Sequence, residues 1–179
     1  MVTTMAFDLR SRIRSVPNFP KPGIMFRDIT TLLKDPAAFR AAVDQLEVFY
    51  RDRRIEAVVG IESRGFVLGA ALAYRLGAGF VPVRKPGKLP AETIRESYSL
   101  EYGTDAVEIH LDALQPGQRV LLHDDLLATG GTMSAACALV RRLGAEIVGL
   151  SFLVELDFLH GRERLPDQEI FSLVHYDAE

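Results

Sequence analysis

The chain has 179 residues, 48% hydrophobic and 25% charged, which is globular composition and excludes a disordered or collagen-like polymer. Lys and Arg number 21 against 24 Asp and Glu, a formal charge of -3 that argues against a general nucleic-acid coat. The single cysteine, Cys137, excludes an internal disulfide and a cysteine-based zinc site, and no apolar run approaches the ~20 residues of a bilayer span.

The opening stretch MVTTMAFDLRSRIRSV interleaves charges with apolar residues and lacks the continuous core of a signal peptide. A cytoplasmic protein of one domain, 1–179, is therefore expected, with neither a nucleic-acid nor a membrane partner. Residues 5–14 read as a short amphipathic helix, and the proline-rich segment Val16 to Gly23 as irregular chain. Asp35-Pro36 pairs an N-cap with a first-turn proline and opens a helix to about Arg51. Glu56 to Ile61 is short, apolar and β-branched, so it reads as a buried strand. Gly65 to Leu76 reads as a helix closed by Gly77, and Gly79 to Val83 as the next strand.

Lys85 to Gly103 holds two prolines, two glycines and mixed charge without a period, which predicts a long excursion from the core. Ala106 to Leu111 and Arg119 to Asp124 read as strands on either side of the turn Gln115-Pro116-Gly117-Gln118. Met133, Ala136, Cys137, Val140 and Leu143 fall at helical spacing within Thr132 to Leu143, and Gly144 ends that helix. Glu146 to Leu156 and Glu169 to Tyr176 are the last strand candidates. Strands alternating with helices predict an α/β fold, a mainly parallel sheet covered on both faces. Ligands of such sheets bind beyond the carboxyl ends of the strands.

Arg119 to Thr132 carries the strongest chemical signal. An apolar strand ends in Asp124 and Asp125, and the small-residue loop Ala128-Thr129-Gly130-Gly131-Thr132 then feeds a helix. Two glycines free backbone N–H groups at a helix N-terminus, where the partial positive charge favours a phosphate. Ionised aspartates only accept hydrogen bonds, which suits sugar hydroxyls or metal-bound water. The blander alternative is a turn whose helix is capped by Thr129 or Thr132. His110, His160 and His175 show no metal-ligand spacing.

This stretch resembles the phosphoribosyl pyrophosphate (PRPP) signature of the type I phosphoribosyltransferases, and the wider chain is similar to the adenine-specific members of that family. The motifs that carry the resemblance are VPNFPKPGIMFRDIT, ESRGF, VRKPGKLP, SYSLEYGTDAVEIH, DDLLATGGTM, FLVEL and GRERL. His123 departs from the pattern, which has an aliphatic residue there. The resemblance implies that family's fold, a mainly parallel twisted sheet with helices on both faces. It adds a small hood from segments 1–34 and 155–166 and a lid over 85–103.

The implied reaction is adenine plus PRPP giving AMP plus pyrophosphate, with Mg²⁺ carried on PRPP rather than held by protein ligands. Breaking the bond at ribose C1 builds positive charge on the sugar and negative charge on the leaving group, so the site must position, clamp and exclude water. By resemblance, Ala128 to Thr132 cradle the 5′-phosphate and Asp124 and Asp125 hold the ribose hydroxyls. Ser63 and Arg64 form the pyrophosphate loop, in which a cis peptide is expected in the Glu62-Ser63 region. Arg84, Lys85 and Lys88 form a second basic cluster, which in a homodimer serves the neighbouring subunit. Glu101 in the lid is the proton-transfer candidate, with Tyr102 beside it. Phe26 stacks on adenine, the backbones of Met25 and Arg27 read its edge, and Glu155 and Leu156 close the purine pocket; Glu155 could equally be a strand-end salt-bridge partner. Two alternatives stay open: a phosphoribosyltransferase for 6-oxopurines such as hypoxanthine or xanthine, and a PRPP-sensing regulator.

Overall fold

The structure, a computed structural model, describes residues 7–99 and 103–178. Its first elements are β1 (Arg14–Pro17), β2 (Met25–Asp28), α1 (Thr30–Leu33) and α2 (Pro36–Tyr50). Next come β3 (Ala57–Ile61), α3 (Gly65–Leu76), β4 (Gly79–Val83), β5 (Thr93–Ser99) and β6 (Thr104–His110). The chain then forms β7 (Arg119–Leu127), α4 (Gly131–Arg142), β8 (Glu146–Leu156) and β9 (Ile170–Tyr176). Local chemistry sets several of these limits. The Asp35 carboxylate accepts from the N–H groups of Ala37 and Ala38 at 2.9 and 3.2 Å, capping α2 ahead of Pro36. Gly77 ends α3 in the left-handed conformation, φ 65°.

Five strands form one parallel sheet in the order β4-β3-β7-β8-β9. Alternate residues feed opposite faces. Val59, Ile61, Val120 and Leu122 pack with Met133, Cys137 and Val140 of α4. Val58 and Leu121 pack on the other side with Leu46 and Tyr50 of α2 and Leu72 and Ala73 of α3. The chain runs outward from β3 to β4 and later returns on the opposite side of β3 as β7. This reversal opens a crevice between the carboxyl ends of β3 and β7, where an open α/β sheet places its ligand. No helix among the described residues is long and apolar enough to cross a membrane.

Two expectations require correction. Of the expected helix over 5–14, the described residues form only a single 3-10 turn, Arg10–Arg12, followed by β1. Asp8 turns the chain there by accepting from Ser11 N–H at 3.2 Å, and Leu9 and Ile13 both bury against Ile29, Leu32 and Tyr176. Within the proline-rich segment only Val16 and Pro17 join a strand, opposite Phe26 and Met25, and residues 18–23 form the expected irregular chain between β1 and β2. Second, the excursion over 85–103 contains β5, which pairs with β6 as an antiparallel ribbon from Thr93↔His110 to Ser99↔Thr104. Both faces of β5 carry polar residues, so its sequence lacks the apolar alternation of a half-buried strand; only Ile94 and Tyr98 reach the core. A bridge between Arg84 and Glu108 ties this ribbon to the sheet edge.

Candidate active site

β7 runs on to Leu127 rather than ending at Asp124, and its two aspartates lie just beyond its last pairing with β3, where β3 gives way to α3. Asp125 is 5% exposed, and its Oδ2 accepts from Arg64 Nε at 2.5 Å. Asp124 Oδ1 accepts the backbone N–H of Asp125 at 2.8 Å. Enclosure by the strand ends, and then repulsion from Asp125, push the Asp124 carboxyl well above the usual carboxylate range. Burial works against the charge of Arg64, but Asp125 and Asp124 outweigh it and raise its pKa. Gly65 permits this approach of α3 to β7, because a Cβ there would lie 2.8 Å from Asp124 Oδ1. Behind the pair, His123 is fully buried and its Nδ1 lies 2.8 Å from Ser151 Oγ, which itself donates to Leu122 O at 3.3 Å. Burial lowers the His123 pKa to about 3, so the ring is neutral.

The loop after β7 answers the capping question. Gly130, at φ 80°, is the N-cap residue of α4, and neither threonine caps the helix. Its first-turn N–H groups are thus left for a ligand, next to a cavity of about 80 Å³ lined by Asp124, Leu126 to Met133 and Phe152. A second cavity of about 260 Å³ adjoins it, sharing Asp124, Leu126 and Thr132, and is lined also by Glu62, Ser63, Arg64, Lys85 and Asp125. The Glu62–Ser63 peptide is cis, as the resemblance implies.

Carboxylates already hold most of the basic cluster. Arg84 forks onto Glu62 at 3.2 and 3.0 Å, and Glu62 also accepts the Lys85 N–H at 2.8 Å. Burial opposes the Glu62 charge, yet these donors keep its pKa below the ordinary range. Lys85 Nζ is ion-paired to Asp105 and bonded to Tyr98 Oη at 3.1 Å. Lys85 lines the larger cavity of its own chain, whereas Arg84 and Lys88 line neither cavity.

The hood residues divide in the same way. Phe26 is half-buried, edge-on to Phe19 at 5.1 Å, and the Arg64 guanidinium sits 5.3 Å from its ring centre. Pro17 has no N–H, so its pairing with Met25 is a non-hydrogen-bonded one; by alternation the backbone groups of Met25 and Arg27 point away from β1. The Arg27 guanidinium stacks on Tyr176 at 3.9 Å and donates to Ser15 Oγ at 2.6 Å. Glu155 takes the salt-bridge role: Arg162 donates to it at 2.5 and 2.8 Å and Ser172 Oγ at 2.6 Å. Glu155 and Leu156 line neither cavity. Glu101 and Tyr102 lie outside the described residues.

Sequence reasoning missed Glu62, Tyr98, Asp105 and Arg162 as partners of these charges. It also missed Arg164, whose Nη1 lies 3.5 Å from where a Cβ of Gly131 would stand. The motifs ESRGF, SYSLEYGTDAVEIH and GRERL marked those neighbourhoods without pairing the charges.

The chain matches the model of the phosphoribosyl transferase domain family over residues 28–176. It is 64% identical over 168 residues to adenine phosphoribosyltransferase of Acidobacterium capsulatum, covering 94% of this chain and 93% of that one. The crystal structure of adenine phosphoribosyltransferase from Thermoanaerobacter pseudethanolicus superposes with a TM-score of 0.92 at 52% identity, covering 94% and 98% of the two chains. The Saccharomyces cerevisiae enzyme, complexed with an imino-altritol bisphosphate and adenine, superposes with a TM-score of 0.89 at 41% identity, covering 92% and 96%.

Proposed function

The chain belongs to the adenine phosphoribosyltransferases, a branch of the phosphoribosyl transferase family, and we propose that it carries out their reaction at the ends of β3 and β7. In this purine-salvage reaction N9 of adenine bonds to ribose C1 of PRPP while the C1–oxygen bond breaks. The electron pair leaves with pyrophosphate, N9 loses its proton and AMP remains. One observation carries the location: an α4 N-terminus without a side-chain cap, opening beside the adjacent Asp124 and Asp125 of β7. The yeast relative's bisphosphate and adenine add support for a site that takes a phosphorylated sugar beside a purine.

Each part of the site has a matching task. The N–H groups of the loop 128–132 receive the 5′-phosphate, and Asp124 and Asp125 accept from the ribose hydroxyls. Arg64, with Ser63 and Lys85, faces the departing pyrophosphate; Arg84 braces that wall through Glu62, and exposed Lys88, which lines neither cavity, is offered to the neighbouring subunit's site of a homodimer. Phe26 covers one face of adenine, while the outward backbone groups of Met25 and Arg27 offer a donor and an acceptor to its edge. A 6-oxopurine would set an acceptor where adenine offers its amine, a buried mismatch. By resemblance, Glu155, paired with Arg162, and Leu156 close the other side of the purine pocket. By resemblance, Glu101 takes the N9 proton.

The donor set suits Mg²⁺ carried by PRPP. Asp125 is held by Arg64 and the Asp124 carboxyl tends towards neutrality, so neither is a bare anionic ligand, while both can accept from ribose hydroxyls or bound water. When bound, Mg²⁺ neutralises charge on the leaving group. A cytoplasmic homodimer completes the proposal, supported by exposed Val67 and Tyr74 on α3, the helix that follows Arg64. The test is a panel of nucleobases with PRPP and Mg²⁺, following nucleotide formation. Adenine should be used far better than hypoxanthine or xanthine; activity with hypoxanthine alone would overturn the reading.

A further inference from the structure

We propose that Asp105 and Tyr98, partners across the β5–β6 ribbon, position the Lys85 ammonium in the leaving-group wall of the cavity. This rests on reading that cavity as the pyrophosphate site.

Lys85 is held at both ends. Its backbone N–H is fixed to Glu62 in the loop after β3. Its Nζ closes a triangle with the Asp105 carboxylate and Tyr98 Oη, and Tyr98 Oη lies 3.1 Å from Asp105 Oδ2. Asp105 Oδ1 accepts from Ala106 N–H at 2.8 Å, which fixes the carboxylate and turns Oδ2 to the lysine. Tyr98 and Asp105 are register partners, so the ribbon holds the two acceptors of the triangle side by side.

An ammonium has three donors. Two are taken by Asp105 and Tyr98, and one remains for a phosphate oxygen in the cavity that Lys85 lines. A free lysine would order its flexible stem only on binding, whereas here the stem is ordered beforehand. The Lys85 side chain is 41% exposed and that of Asp105 32%, so the pair adds little to folding and its loss leaves the domain intact. Tyr98 reaches further: its ring stands 3.2 Å from where a Cβ on Gly131 would be. The same ribbon residue thus touches the 5′-phosphate loop and the cation of the leaving-group wall.

The test is calorimetric titration of the full chain with pyrophosphate in Mg²⁺ buffer, with AMP titrated as a ligand that lacks the leaving group. Lys85→Met should weaken pyrophosphate about 10-fold and Asp105→Asn about 5-fold, with Asp105→Glu restoring most of the loss and AMP affinity unchanged. In the Lys85→Met background, Asp105→Asn should have no further effect, because a residue acting through another is silent once that one is gone. Tyr98→Phe should weaken pyrophosphate about 2-fold. Additive losses in the double variant, or undiminished pyrophosphate binding in Asp105→Asn, would overturn the positioning role. Undiminished binding in Lys85→Met would instead overturn the assignment of Lys85 to pyrophosphate.

Discussion

The small-residue loop between β7 and α4 and the basic wall after β3 and β4 face the same crevice, yet they are built on opposite plans. The loop offers backbone N–H groups set by Gly130 and Gly131 and leaves its helix end without a side-chain cap. Arg64, Arg84 and Lys85 instead rest on Asp125, Glu62 and Asp105. A backbone cradle needs little reorganisation when an anion arrives, because its dipoles are fixed by the fold. Long cations need a counter-charge to hold them, so part of their attraction for a ligand is already engaged. On the proposed function, the backbone cradle would hold the phosphate that stays and the carboxylate-held cations the group that leaves.

That contrast can be broken most severely at Gly130. Gly130→Ala would put a Cβ 2.5 Å from Gly161 O at a positive φ, so we expect a stability loss of about 3 kcal/mol and loss of AMP binding. An unchanged denaturation midpoint with normal AMP titration would show the loop to be adjustable after all. Asp125→Asn, where the two plans meet, should lower kcat/KM for PRPP about 100-fold, near 2.7 kcal/mol, with the KM for adenine little changed. Normal PRPP kinetics would remove the aspartates from ribose binding.

A smaller effect concerns pH. The Asp124 pKa is raised on folding, so the folded chain keeps a proton that the unfolded chain loses, and stability falls as pH rises through the interval between the two values. Asp124→Asn cannot ionise; its stability advantage over the parent should grow as pH rises from 4 to neutral, while it uses PRPP poorly. Denaturant curves that stay parallel at both pH values would contradict this. Smallest is the salt response. Raising ionic strength from about 0.05 to 0.5 M should weaken pyrophosphate more than AMP, because exposed side-chain charges are screened more than buried backbone dipoles. Equal losses would erase the distinction.

The legible parts of the chain were those with local signals. Asp35-Pro36 announced α2, Gly77 closed α3, and the limits of β4 and β8 followed from apolar runs between turn residues. The loop 128–132 was legible because glycines and hydroxyls between a strand and a helix form one continuous phrase of sequence. The opening residues misled: Leu9 and Ile13 sit at helical spacing, but the Asp8–Ser11 turn delivers them to the core through a 3-10 turn. The strand Thr93–Ser99 was hidden because its partner strand, rather than an apolar face, holds it in place.

By itself, then, the sequence determined the parallel α/β plan, the paired aspartates and the small-residue loop downstream of them, but not that β7 continues to Leu127. All three depend on neighbours in the chain, whose spacing the backbone periods enforce. Only the tertiary structure decided which carboxylate holds which cation. Arg64 meets Asp125, Lys85 meets Asp105 and Glu155 meets Arg162. Charge has no period along a chain, and a salt bridge between distant residues exists only once packing has brought its two ends within reach.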